Sequence, residues 1–297
     1  MICEVIRKPV DRVDDGAFSH ALRVWHELEK TAPLSLIDAV RGRCDAATNL
    51  YLTDLDEAGF WAYRMSIVNH SFSLEHTTSF AFGDYPDRSY FAAVVQPCFH
   101  DLTDAGEPTV HRVSASIQGK LAVYERLTLP IFSRNKMDYS VTLSKLLALV
   151  ETPMEINLGT LSVRERQCLS LLAAGLSAKR IAADLQLSQS TVENHVEHLK
   201  RKLGARSVAH ATAIAALDSS NIEPFSDMPS LSGRERQCLG YLASGLTVWE
   251  IAERLKLSAK TVELHVAAMK RKLAARNVAE AVALGIAAVF NQAGGTG

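Results

Sequence analysis

The sequence predicts an α+β multidomain chain: an α/β unit over residues 1–155, then two all-α units of four helices each at 156–217 and 231–297, joined by a linker at 218–230. Three observations predict it. Residues 161–211 return 70 positions later as 231–281 with about three-fifths of positions identical, which marks two copies of one folded unit. Apolar residues in both copies recur at helical spacing, whereas the first half mixes helical and strand-like segments. Charge divides at the same place. Residues 158–297 carry 17 Lys and Arg against 12 Asp and Glu, while 1–157 carry 15 against 21, so a net charge of −1 hides a basic half and an acidic half.

In the first half, 17–30 reads as an amphipathic helix with Leu22, Val24, Trp25 and Leu28 on its apolar stripe, and 34–43 adds another turn or two. Segments 49–55 and 60–69 flank a turn at 56–59 and read as a hairpin. Residues 88–100 read as a helix. Three strands then follow at 109–117, 121–132 and 138–149, the last expected to run on into a helix.

Each repeat opens as a helix N-terminus. Ser162 with Glu165, and Ser232 with Glu235, form the reciprocal capping box that satisfies two orphan backbone N–H groups. Gly175 and Gly245 stand where the chain must leave that helix in a left-handed conformation. A short second helix, capped by Ser177 or Thr247, carries Ile181, Ala182 and Leu185, or Ile251, Ala252 and Leu255, on its inner face. The third helix, opened by Ser188 or Ser258, buries Val192, Val196, Leu199 and Leu203, or Val262, Val266, Met269 and Leu273. A fourth, alanine-rich helix spans 208–217 and 278–290. Cys168 and Cys238 read as small core residues.

The Leu-Ser-x-Arg-Glu opening, the Gly-Leu-Ser/Thr turn and the Thr-Val-Glu-x-His-Val third helix resemble the LuxR-type (GerE-type) helix-turn-helix of bacterial transcription regulators, twice over 160–215 and 230–290. The resemblance implies that the third helix enters a DNA major groove and that the fourth supplies a dimer contact. The residues it places at DNA are Gln189, Ser190, Thr191, Glu193, Asn194, His195 and Glu197 in the first copy, and Lys260, Thr261, Glu263, Leu264 and His265 in the second. Past them, Lys200, Arg201, Lys202 and Arg206, with Lys270, Arg271, Lys272 and Arg276, sit where cations oppose a helix C-terminal dipole and reach phosphates. For His195 and His265 a packing role stands beside phosphate contact. Glu193 and Glu197 occupy positions where many relatives place Lys. A carboxylate accepts a hydrogen bond from cytosine N4 but repels phosphate, so affinity falls to the flanking cations.

The layout of two strands, helical crossing segments and three further strands resembles a PAS-type sensor. So do Gly106, Glu107 and Pro108 and the run from Tyr124 through Glu125, Arg126, Leu127, Thr128 and Leu129 to Pro130. The acidic pair, aspartate and lysine of a phosphoacceptor receiver have no counterpart. An acyl-homoserine-lactone pocket is the alternative sensor, though the pattern around Trp61, Tyr63 and Asp84 does not reproduce that family's. Cys98 lies in no flavin motif, and His70, His76, His100 and His111 read as surface or hydrogen-bonded residues before they read as haem ligands. No phosphate loop, serine elbow or metal-binding histidine pair is present, so no enzyme, catalytic residue, cofactor or metal is expected. The five cysteines and the lack of any apolar run long enough to span a bilayer predict a cytoplasmic protein without a membrane partner.

The expected function is sequence-specific DNA binding by a transcriptional regulator under control of a small-molecule or protein signal at 1–155. The expected partners are double-stranded DNA at an imperfect palindrome, a second copy of the chain, and RNA polymerase as a candidate. The two fourth helices are expected to pair within one chain, with the proline- and serine-containing linker at 218–230 long enough for pairing within or between chains. The rival reading is an adaptor or antagonist that binds another regulator through Glu193, Glu197 and Glu263.

Overall fold

The computed structural model describes residues 3–12, 16–28, 33–55, 58–69, 79–117, 120–133, 136–151, 158–217 and 230–291. The chain divides into two units, one of residues 1–118 and 122–147 and the other of 119–121 and 148–297. His70, His76 and all but Ser230 of the expected linker lie outside the described residues.

The first unit is built on one sheet. Its strands are β1 (Cys3–Lys8), β2 (Thr48–Asp54), β3 (Arg64–Asn69), β4 (Ser79–Ala81), β5 (Thr109–Ile117), β6 (Lys120–Ser133) and β7 (Lys136–Glu151), in the order β1-β5-β6-β7-β2-β3-β4. β2 pairs antiparallel with β3 and β7, β3 with β4, and β1 with β5. The hairpin expected from 49 to 69 forms, although Phe60–Ala62 coils into a 3-10 turn before β3 begins. β7 runs two residues past the end expected at 149, and the helix expected to follow it would fall on 152–157, outside the described residues. The strand stays extended to Glu151, carried by the β-branched Val141, Thr142 and Val150 and by Leu146 N–H donating to Ala47 O at 2.9 Å beyond the register with β2.

Strand alternation gives the sheet two unlike faces. One carries Leu50, Val110, Leu127, Leu129, Ile131, Val141 and Leu143. It is covered by α1 (Gly16–Glu27) and α2 (Pro33–Arg41) through Phe18, Ala21, Trp25, Leu36, Ile37 and Val40. Burial of a side chain such as Phe18 contributes roughly 1.5–3 kcal/mol. Trp25 is fully buried without an unsatisfied donor, because its indole N–H reaches Pro130 O at 2.6 Å. The interleaved positions Tyr124, Arg126 and Thr128 of β6 and Ser140, Thr142 and Ser144 of β7 point to the other face and are also buried.

That second face meets a helical run of α3 (Arg88–Tyr90), a π-helical turn (Phe91–Val95) and α4 (Gln96–Ala105). The run starts where Asp87 accepts the Tyr90 N–H and ends at Gly106, whose φ of +62 is the left-handed stop that glycine supplies. It is five residues longer than the sequence pattern suggested, since Asp101 and Asp104 continue the helix on its exposed side.

The second unit contains the two repeats. The first has α5 (Val163–Ala173), α6 (Ala178–Leu185), α7 (Gln189–Lys202) and α8 (Val208–Leu217). The second has α9 (Gly233–Ala243), α10 (Val248–Leu255), α11 (Ala259–Lys272) and α12 (Val278–Asn291). Both capping boxes are closed: Glu165 N–H donates to Ser162 Oγ while Ser162 N–H donates to the Glu165 carboxylate, and Ser232 with Glu235 repeats the pair. Such a cap contributes about 1 kcal/mol. Cys168 and Cys238 are buried, and burial pushes the Cys238 thiol up to about 11, so neither reads as a reactive thiolate.

The repeats pack on each other through α8 and α12. Thr212 Oγ1, fully buried, donates to Ala279 O at 3.0 Å across this seam. The turn after the first helix of each copy docks at the start of the fourth helix of the other. Asn277 Nδ2 donates to Gly175 O at 2.8 Å, and a Cβ on Gly175 would lie 2.3 Å from Glu280; a Cβ on Gly245 would lie 2.9 Å from His210 Nδ1. Because 245 and 280 are the 70-residue images of 175 and 210, the contacts are reciprocal, as in a two-fold dimer. Gly245 has φ +83 and its Cβ would also lie 2.8 Å from Arg206 Cβ. Gly245→Ala is therefore expected to cost more than the ~1–2 kcal/mol of a left-handed alanine, read as a lower urea midpoint.

The two-fold relation is broken by residues 148–151. Leu149 lies against Gly240, and Glu151 N–H donates to Ser244 Oγ at 3.2 Å, so α9 is buried on a side where α5 is open.

Candidate nucleic-acid interface

α7 and α11 are held by one face and free on the other. Val192, Val196, Leu199 and Leu203 in the first copy, and Val262, Val266, Met269 and Leu273 in the second, are buried, which fixes each helix in rotation. Ser188 and Ser258 cap the starts, accepting from the backbone of Thr191 and Thr261, whose hydroxyls turn back to the caps. The outward face presents Gln189, Ser190, Glu193, Asn194 and Glu197 in one copy and Lys260, Glu263 and Leu264 in the other, with Leu264 61% exposed. Thr191, Thr261, His195 and His265 are half-buried at the edges of this face.

The carboxylates on these faces are matched by neighbours on their own helix. Glu193 accepts from Gln189 Nε2 at 2.8 Å, Glu197 from Lys200 at 2.8 Å, and Glu263 from Lys260 at 3.3 Å. Exposed pairs like these contribute little to stability but blunt the repulsion of phosphate.

Apart from Lys200, which pairs with Glu197, the cations at and just past the ends of α7 and α11 sort into three groups. Lys202 reaches Glu165 at 2.7 Å and Thr160 O, and Lys272 reaches Glu235 at 2.7 Å and Ser230 O, so each ties the end of the third helix to the capping box of the first. The Lys202 ammonium bonded to Glu165 holds that carboxyl down at about 2. Against burial, which raises it, Lys272 keeps Glu235 below the usual range. Arg201, Lys270 and Arg271 make no such protein contacts among the described residues and stand at the outer end of the faces.

Arg206 and Arg276 belong to the seam between repeats. Arg206 pairs with Glu250 at 2.8 Å. Its image Arg276 would face Arg180, and it pairs instead with Glu280 at 3.0 Å and donates to Ala174 O at 2.6 Å. At the same seam His210 Nε2 donates to Glu151 O at 2.6 Å while Nδ1 accepts from Arg206 N–H at 3.2 Å, an arrangement that requires the neutral ring. Burial lowers the His210 pKa. A ring kept neutral in the fold contributes stability that is present above its unfolded value near 6.5 and lost as pH falls below it. The urea midpoint of the helical unit is expected to fall between about pH 7 and pH 5, and His210→Asn to flatten that dependence.

The family described as bacterial regulatory proteins, luxR family (GerE), matches residues 159–215 and again 229–284. Both repeats are luxR-family domains. Among curated relatives of these luxR-family domains, the transcriptional regulatory protein FixJ of Rhizobium meliloti is 48% identical over 58 residues, 20% of this chain and 28% of FixJ. The transcriptional activator protein RaiR of Rhizobium etli is 37% identical over 73 residues, 25% of this chain and 30% of RaiR. The chain thus spans under a third of the length of either. Among solved structures, the VqmA–ligand–DNA complex of Vibrio cholera is 17% identical with a TM-score of 0.26, covering 62% of this chain and 86% of that one.

Outside the luxR-family domains, the candidate sensor residues fall in two places, an aromatic cluster around Phe60 and the surroundings of Arg126. Trp61 packs edge-on with Phe60 beneath the Arg88 guanidinium, and Tyr63 joins the Phe60, Phe82 and Phe99 cluster. Asp84 ends a 3-10 turn, Cys98 is buried in α4, and His111 bonds Asp101 at 2.8 Å. Among the described residues no group of three or more His, Cys, Asp or Glu is placed to hold a metal, and no helix is long and apolar enough to cross a membrane. Trp249 in α10, 77% exposed where the first copy has Lys179, went unremarked in the sequence. Its position just after the Thr247 cap was the available signal.

Proposed function

We propose that the chain is a cytoplasmic transcriptional regulator that binds double-stranded DNA through both luxR-family domains, acting as a two-domain pair within one polypeptide. The observation that carries this is the reciprocal packing of α8 with α12, beside two third helices that each expose a polar face. Such a pair would set its recognition helices about one DNA turn, ~34 Å, apart. Arg201, Lys270 and Arg271 are the phosphate contacts of this reading, joined by Lys200, Lys202, Arg206, Lys272 and Arg276 where the DNA displaces their protein partners. The exposed faces differ, so the half-sites differ. Asn194 suits adenine N6/N7, Glu193 and Glu197 suit cytosine N4, and Leu264 suits the thymine methyl.

The first unit fits a PAS-type sensor at about residues 1–155, with repeat domains at 156–217 and 231–297. What supports this is the sheet order β3-β2-β7-β6-β5 with the helical run inserted between the hairpin and the last three strands. Its dimerisation would place four luxR-family domains on longer DNA.

Selection from random DNA with the full chain tests the reading. A motif of two unlike half-sites is expected. Enrichment of a single isolated half-site overturns the pairing, and enrichment of nothing at low salt overturns DNA binding.

A further inference from the structure

The polar face of the N-terminal sheet carries a cationic side chain that no carboxylate among the described residues neutralises. Arg126 is 94% buried by its 6% exposure, and its guanidinium lies 5.3 Å from the centre of the Tyr124 ring. Its Nη2 donates to Tyr90 Oη at 3.3 Å and Tyr124 Oη at 3.2 Å, and those phenols bond each other. Among the described residues no carboxylate pairs with it. Asp101, whose charge acts on the same Cys98 and His111 that Arg126 acts on, bonds His111 instead. Burial raises Tyr51, Tyr90 and Tyr124, so all three phenols are neutral at pH 7 and offer dipoles instead of charge.

Arg126 Nε and Nη1 have no oxygen or nitrogen acceptor, which leaves three of its five N–H bonds buried with only the weakly accepting, buried Cys98 thiol beside the guanidinium. The same face holds further buried hydroxyls without partners: Thr128 beside Arg126 on β6, Ser140 and Thr142 on β7, and Thr53 on β2, directly opposite Ser140 in the antiparallel register. Tyr90 links this face to an aromatic cluster, with Phe91 5.7 Å from it and Phe82 4.8 Å from Phe91. A buried charge without a partner is costly, and a set of orphaned donors converging on one sheet face is the arrangement a bound anion completes. Other buried polar atoms are orphaned singly, as at Thr109 Oγ1, while Trp25 and Thr212 are satisfied; the orphaned donors of Arg126 stand out because a buried charge and four hydroxyls share one sheet face.

We propose that this face binds a small organic carboxylate, its carboxylate accepting from Arg126 Nε and Nη1, its other polar atoms meeting the hydroxyls of Thr53, Thr128, Ser140 and Thr142, and its carbon skeleton lying toward Tyr90 and Phe91. Arg126 is the charge-selecting residue. Neutral lactones and amides leave its charge unmatched and are rejected. The proposal rests on the first unit being the sensor and not on DNA binding.

The test is thermal unfolding and calorimetric titration of the full chain with benzoate, 4-hydroxybenzoate, pyruvate and 2-oxoglutarate, each beside its neutral amide, and with an N-acyl homoserine lactone. At least one carboxylate is expected to raise the midpoint by about 3 °C or more near saturation, and its amide is not. Arg126→Met is expected to abolish that shift while raising the ligand-free midpoint by about 2–4 °C, because it removes an unpaired buried charge. Thr142→Val and Ser140→Ala test the same face should Arg126→Met fail to fold, each expected to weaken binding about fivefold with the ligand-free midpoint unchanged. Absence of a shift with every carboxylate, equal shifts with amides or the lactone, a lower ligand-free midpoint in a folded Arg126→Met, or undiminished binding in the variants each overturns the proposal. None of these readouts involves DNA, so a failure of DNA binding is seen separately.

Discussion

Thr212→Arg is expected to separate the two luxR-family domains and to lower affinity for a two-half-site DNA by about 10²-fold, because the domains stay joined in one chain but lose the preset spacing of their third helices. Thr212 is fully buried where α8 meets α12, and its hydroxyl is satisfied by Ala209 O and Ala279 O, both at 3.0 Å. An arginine there overfills the seam and brings in a charge without a partner, a combination that costs about 3–5 kcal/mol. Thr212→Val keeps the volume and loses only the hydrogen bond, so it should lie within about tenfold of wild type in affinity. Fluorescence anisotropy on DNA with one and with two half-sites reads the difference. Full two-site affinity in a folded Thr212→Arg protein would refute the functional pairing.

Replacing Arg201 and Arg271 together with alanine is expected to weaken binding to all DNA sequences alike and to reduce the slope of log K against log salt by about 2. These side chains are exposed at the outer ends of α7 and α11 without protein contacts to lose, so stability should stay within about 0.5 kcal/mol of wild type. Lys202→Ala with Lys272→Ala is the contrasting pair. Their ammonium groups hold the Glu165 and Glu235 capping boxes, and their loss should appear first as a lower unfolding midpoint. Charge reversal at Glu193, Glu197 and Glu263 separates the adaptor reading, since a DNA binder changes sequence preference while an adaptor loses its protein partner.

Much of the second unit was legible because its signals are local. Ser162 and Glu165 are three residues apart, Gly175 follows its helix directly, and Val192, Val196 and Leu199 mark a buried stripe within one helix. What escaped was set by contacts between distant residues. Lys202 reads as one more phosphate-facing cation until Glu165, 37 positions earlier, is seen to hold it, and Arg206 looks identical to Arg276 until Glu250 and Arg180 assign them different partners. In the first unit, Leu121–Phe132 announces a strand, yet the polar alternation of Tyr124, Arg126 and Thr128 acquires meaning only when Ser140, Thr142 and Thr53 come in beside it from two other strands. The edge strand β4, three residues long, has too little sequence to announce itself, and β1 alternates without burying either side.

The seam between α8 and α12 also bears on how this chain can change over time. A regulator assembled from two identical subunits must read the same half-site twice, so any altered recognition residue is felt at both ends of its operator at once. With both partners encoded in one polypeptide and seated on each other through reciprocal glycine turns, each copy is free to drift alone. Asn194 and Leu264 already stand at equivalent positions with unlike chemistry. On the proposed reading, dilution does not part the pair, so occupancy of a two-half-site DNA by one chain should rise in simple proportion to the amount of protein, and a threshold would report dimerisation through the first unit.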